Sequence, residues 1–152
     1  QYRPCGTLLQ DETIDFRLYA RALDVPASET HFIANDDTRI DIHTGARAWQ
    51  AQVNNAPVYY HALVYRFDES VAGSLYSGAV HIMNADGALV AQADFPLPDS
   101  QRPIGCHLAQ IDISHLPRGE YTVQTLAYNW QTGERLPIAD SDALVIDTLV
   151  VE

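Results

Sequence analysis

Leu116–Leu136, LPRGEYTVQTLAYNWQTGERL, decides the fold. Pro117 and Gly119 punctuate a turn, and Glu120 to Trp130 then runs without a breaker. Tyr121, Val123, Thr125, Ala127 and Asn129 fall on one face; Thr122, Gln124, Leu126, Tyr128 and Trp130 fall on the other. A period of two sustained over this length is the signature of a strand, not a helix. Gln131-Thr132-Gly133-Glu134 follows, with glycine where a positive φ is cheap, so the chain should reverse there.

Working outward, the same alternation recurs. Thr13 to Arg21 sets Ile14, Phe16, Leu18 and Ala20 against Asp15, Arg17, Tyr19 and Arg21, a half-buried strand. Thr30–Ile33, Thr38–His43 and Ala48–Val53 read as short strands, with Asn54–Pro57 a break. Val58 to Phe67, VYYHALVYRF, is apolar on both sides and should be central and covered on both faces. Leu75–Met83 and Ala88–Asp94 flank Asn84-Ala85-Asp86-Gly87, a strong hairpin signal. Phe95 to Gly105, with Pro96, Pro98 and Pro103, reads as an irregular crossing between sheets. Cys106–Ile113 and Ala143–Val151 complete the set. No segment has a 3.6-residue period. Short strands with regularly spaced turn signals predict an all-β, antiparallel β-sandwich of about nine to eleven strands. The 152 residues form one expected domain, 1–152, with 1–12 as an irregular lead-in.

Apolar residues make up 47% and charged residues 19%, the balance of a folded protein. The formal net charge of −11 argues against nucleic acid and against anionic membranes as partners. The basic residues are all arginine. No apolar run approaches the roughly 18 residues of a membrane span. Residue 1 is Gln, so the chain is expected to start at a processing site and to be extracytoplasmic. The cysteines, Cys5 and Cys106, are not in a metal or redox spacing. In an exported protein they would pair as a disulfide; otherwise they are two separate buried thiols.

Leu116 and Gly119 ahead of Tyr121 resemble the tyrosine corner of immunoglobulin-like and fibronectin-III-like sandwiches, where a tyrosine bonds back to upstream backbone. Asn84–Gln92, Leu116–Tyr121 and Thr132–Pro137 (NADGALVAQ, LPRGEY and TGERLP) also resemble accessory β-sandwich modules of bacterial surface proteins and membrane glycosyltransferases. That resemblance spans residues 76–139. It implies an immunoglobulin-like fold and supplies no catalytic residue.

The remaining constellations are weaker. Six histidines, His31, His43, His61, His81, His107 and His115, show no helical zinc spacing. His61 and His81, on long neighbouring strands, are the pair that a metal could share; single buried histidines are the commoner case. Cys106-His107 lacks the first cysteine of a haem-attachment motif, and Met83 precedes Cys106, the wrong order for blue copper. Asp112, Ser114 and His115 contain the letters of a triad, but neighbouring strand residues point to opposite faces. Asp36, Asp37 and Asp41 form an acidic turn of the kind that can ligate calcium, or simply sits in water. Tyr128 and Trp130 share a face by parity and are the first candidates for a partner-binding pair, with Phe95 and Leu97 as a stiff second contact. No cofactor is expected. These features lead to a non-enzymatic, extracytoplasmic interaction module that docks to a protein complex or to its own copies. The alternative is a carbohydrate-binding module.

Overall fold

The computed structural model describes residues 2–11, 14–21, 32–33, 39–43, 48–67, 75–97 and 104–152. For 2–11, 14–21, 39, 41–43, 66–67 and 104–106 only the backbone is described. Eleven strands are present among these residues. They are β1 (Tyr2–Asp11), β2 (Ile14–Arg21), β3 (Phe32–Ile33), β4 (Arg39–His43), β5 (Ala48–Val53), β6 (Ala56–Phe67), β7 (Tyr76–Met83), β8 (Leu89–Pro96), β9 (Ile104–Asp112), β10 (Gly119–Asn129) and β11 (Leu144–Val151). All pairings are antiparallel. No helix among the described residues is long and apolar enough to cross a membrane.

Two sheets face each other. In the first, β6 is central: β9 runs along one side, while β5 and β4 share the other, end to end, with β3 beyond β4. Asn54 and Asn55, both at positive φ (51° and 64°), make the β5–β6 connection a tight two-residue hairpin rather than a break. The second sheet has the order β11-β10-β7-β8. Alternation dictates the core between them. Tyr59, Leu63 and Tyr65 of β6 and Ala109 and Ile111 of β9 meet Tyr76, Val80 and Ile82 of β7, Phe95 of β8, Tyr121, Val123 and Ala127 of β10, and Leu149 of β11. Fully burying each large apolar side chain contributes about 1.5–3 kcal/mol.

The structure corrects the expected irregular lead-in. Residues 2–11 are strand β1, paired with β2, with bulges at Cys5 and Gln10. β1 runs against β9 and β5, two of the strands paired with β6. A second apolar cluster lies on the outer face of this first sheet, where Tyr60 and Leu108 are buried and Trp49 stacks on Tyr60 at 5.2 Å. The expectation that β6 is covered on both faces therefore holds.

Residues 134–138 tie the sheets together on one side. The Leu136 amide donates to the Ala127 carbonyl of β10, and the Ile33 amide of β3 donates to the Pro137 carbonyl. On the same side, the Tyr59 hydroxyl donates to Asp147 Oδ2 of β11 at 2.8 Å. At each edge of the second sheet a side chain also holds a backbone carbonyl. Gln50 Nε2 of β5 donates to the Val150 carbonyl of β11 at 2.9 Å, and His115 Nε2 donates to the Val90 carbonyl of β8 at 3.1 Å. Each of these edges carries a register shift, β11 at Ile146 and β8 at Val90.

The corner expected at Tyr121 is present. Its hydroxyl donates to the Pro117 carbonyl at 2.7 Å, and the ring is buried. Tyr121→Phe is expected to cost about 0.5–1.5 kcal/mol, the net value of one hydrogen bond. A urea midpoint that does not move on this substitution would remove the bond's structural role.

Candidate functional site

The outer face of the second sheet carries a cleft of about 270 Å³, lined by His81, Gln92, Asp94, Leu126, Tyr128, Gly133 and Arg135. Strand register puts these residues together. His81 of β7 lies between Gln92 of β8 and Gln124 of β10. One row along, Ala79 lies between Asp94 and Leu126. Ala79 itself is fully buried, so the cleft is formed by its neighbours in these rows. Tyr128 stands in the next row, opposite Ser77. After β10 the chain turns through Gly133 (φ 75°), and Arg135 returns beside Tyr128 as a single bridge pair. Asn129 holds this turn: its Oδ1 accepts from the amides of Gln131 and Thr132, and its carbonyl accepts from the Gly133 amide.

The polar groups of the cleft are loosely tied. The Tyr128 hydroxyl donates to Asp94 Oδ1 at 3.3 Å, and Gln92 Nε2 approaches Asp94 Oδ2 at 3.5 Å, at the limit of a hydrogen bond. The Arg135 guanidinium donates to Asp142 at 3.4 Å between two well-exposed side chains. Such a pair orients the arginine more than it stabilises the fold. Burial pushes the Tyr128 hydroxyl pKa up, and the Asp94 charge adds to this. Burial pushes the His81 pKa down, as does the positive charge of Arg135, against the opposing pull of Asp94. His81 is 6% exposed, and its Nδ1 has no hydrogen-bond partner within the protein.

The other residues singled out from the sequence are placed differently. Tyr128 lines the cleft. Trp130 lies beyond the end of β10, its amide donating to the Leu75 carbonyl and its ring about half exposed, so strand parity with Tyr128 stops short of it. Phe95 and Leu97 are 1% and 4% exposed. They belong to the core, and this corrects their reading as a surface contact. The rest of that segment, 98–103, lies outside the described residues, as do Asp36, Asp37 and the side chains of Asp41, Cys5 and Cys106. β1 and β9, the strands carrying the two cysteines, are in contact.

His61 and His81 do not share a site. His61 points between the sheets and His81 out of them. The Tyr59 hydroxyl has one hydrogen, which it gives to Asp147. The contact of 2.8 Å between that hydroxyl and His61 Nδ1 therefore has the ring nitrogen as donor. That leaves Nε2 of His61 as the bare nitrogen, buried and without a partner. Burial pushes the His61 pKa down, with Asp147 pulling the other way. Burial, then the bond to Asp147 and its charge, drive the Tyr59 pKa far above the ordinary tyrosine value.

Gln92, Asp94 and Arg135 were not singled out from the sequence, and His81 was named there only as a metal-sharing partner of His61. The available signal was the outward parity of His81, Gln92 and Asp94 about the Asn84–Gly87 turn, but the bulge at Val90 shifts that register by one residue. No family model matches the chain, and no curated protein matches it.

Proposed function

We propose that this is a non-catalytic, extracytoplasmic recognition module of immunoglobulin-like type, and that it binds carbohydrate through the outer face of the second sheet. The cleft around Asp94, Tyr128 and Arg135 is the observation that carries this reading. Three further features direct attention to that face. The inner faces are spent on the core, β1 runs against the strands flanking the outer cluster of the first sheet, and a side chain holds a backbone carbonyl at each edge of the second sheet. The bond from Tyr121 to Pro117 supports the immunoglobulin-like assignment.

The sequence favoured a protein partner or self-association, which calls for a contiguous apolar patch. Among the described residues, the large apolar side chains that stand well exposed are Leu89, Trp130, Val145 and Val150. Leu89 lies on β8 and the two valines on β11, at opposite edges of the sheet. A polar cleft with a tyrosine on its wall suits a sugar better than such scattered groups suit a protein. A glycan array run beside a pull-down from the native envelope fraction tests the choice. Glycan binding that weakens in Tyr128→Ala supports the reading. A stoichiometric protein partner with no glycan bound overturns it. The extracytoplasmic placement also predicts a Cys5–Cys106 disulfide; two cysteines alkylated without reductant would count against it.

A further inference from the structure

We infer that the cleft holds one uncharged sugar ring, gripped through its hydroxyls by Asp94, Gln92 and Arg135. The inference rests on the carbohydrate reading and specifies the site, size and charge of the ligand.

Charge balance comes first. Asp94 and Arg135 bring one charge of each sign, and His81, largely buried beside Arg135, is kept neutral. The lining is therefore electrically balanced, inside a chain whose formal charge is −11. An anionic sugar would approach against that field, while a neutral one meets no such penalty.

The hydrogen-bonding inventory comes second. Asp94 only accepts, Arg135 only donates, and Gln92 and Tyr128 do both. A sugar hydroxyl also does both, so neighbouring hydroxyls can donate to Asp94 while accepting from Arg135. The bonds they would replace or share are the long ones, at 3.3, 3.4 and 3.5 Å, so little is lost within the protein. By contrast, the well-formed bonds of the molecule, such as that of Thr125 Oγ1 to the Ala79 carbonyl at 2.8 Å, lie away from the lining polar groups.

Shape comes third. The cleft is bounded by Tyr128, whose half-buried ring is the apolar surface it offers to ring C–H groups, while Leu126 and Ala79, 2% and 0% exposed, stay beneath the surface. Its volume of about 270 Å³ suits a single ring rather than a chain lying flat. His81 closes one end, with its unmet Nδ1 shielded by its neighbours.

The test is binding by calorimetry to neutral oligosaccharides and to uronic-acid-containing ones of equal length, using the whole chain. Asp94→Asn and Arg135→Gln should each weaken neutral-sugar binding about tenfold or more, as expected for hydrogen bonds to charged groups. Gln92→Ala, an exposed substitution that leaves the fold intact, should weaken it several-fold. Val145→Thr on β11 should leave it unchanged. If neutral sugars bind and all three cleft variants bind as well as the parent, this inference falls and the carbohydrate reading stands. A preference for acidic sugars also overturns it. If no sugar binds while a protein partner does, both readings fall together.

Discussion

Phe95→Ala is expected to destabilise the fold by about 3–5 kcal/mol, the range for deleting a buried aromatic ring. The ring is 1% exposed and stacks between Tyr65 and His107, at centroid distances of 6.3 and 4.6 Å. Gly78, its partner on β7, leaves the space it fills: a Cβ there would collide with the ring edge. Phe95 therefore links β8 of one sheet to β6 and β9 of the other, and its loss opens a cavity on the axis joining them. Neither neighbour can collapse into the space without leaving its own packing. A surface contact residue would behave differently, within about 0.5 kcal/mol of the parent. Denaturant midpoints for parent and variant separate the two cases, and a shift that small would return Phe95 to the surface.

Acidification is expected to weaken the fold between pH 7.5 and 5. Burial lowers the pKa of His61, His81 and His107 below the ordinary value of 6.5. A base with a depressed native pKa binds fewer protons in the folded chain than in the unfolded one. Its contribution is intact above about pH 6.5 and is lost as pH falls through that value toward the native pKa. Each such histidine adds up to about 1.4 kcal/mol per pH unit to the slope. For His61 the cause is concrete, because a proton on Nε2 would find no acceptor in the interior. Asp112, whose pKa is lowered chiefly by its hydrogen bond from Ser114, acts in the same direction but below the ordinary carboxylate value of 3.8, outside this window. Urea melts at pH 7.5, 6 and 5 read the slope, and His81→Gln should reduce it. A stability that stays flat across the window would mean that these rings take up protons in place.

Much of the architecture was legible because alternation reports burial directly. Leu116–Leu136 reads as a strand entered through a corner, and β10 has its odd residues in the core and Tyr121 bonded to Pro117. β6 was recognisable from apolar residues on both faces, and each face is packed. Where reading failed, the cause was local. β1 carries two bulges in a short span, which erases its alternation. Phe95 stands between residues that look like loop, yet β8 runs on to Pro96, as an edge strand permits. The cleft was hidden because it depends on register across three strands. Tyr128 and His81 were found by their type; Asp94 needed the bulge at Val90 to be known, and Arg135 needed the return after Gly133.

The side chains bonded to the edges of the second sheet bear on how copies of this domain tolerate one another at high concentration. A bare sheet edge is a template for another strand, and repeated edge pairing leads to fibres. Here the Val150 carbonyl is already taken by Gln50, the Thr148 amide by the Asp147 side chain at 2.9 Å, and the Val90 carbonyl by His115. A strand arriving from a second molecule would have to displace these groups and follow a bulged edge that no longer matches a regular ladder. Crowded copies are thus steered away from stitching backbone to backbone. His115 adds an asymmetry: its imidazole cap on the β8 edge is lost when the ring is substituted, whereas the β11 edge keeps both of its own.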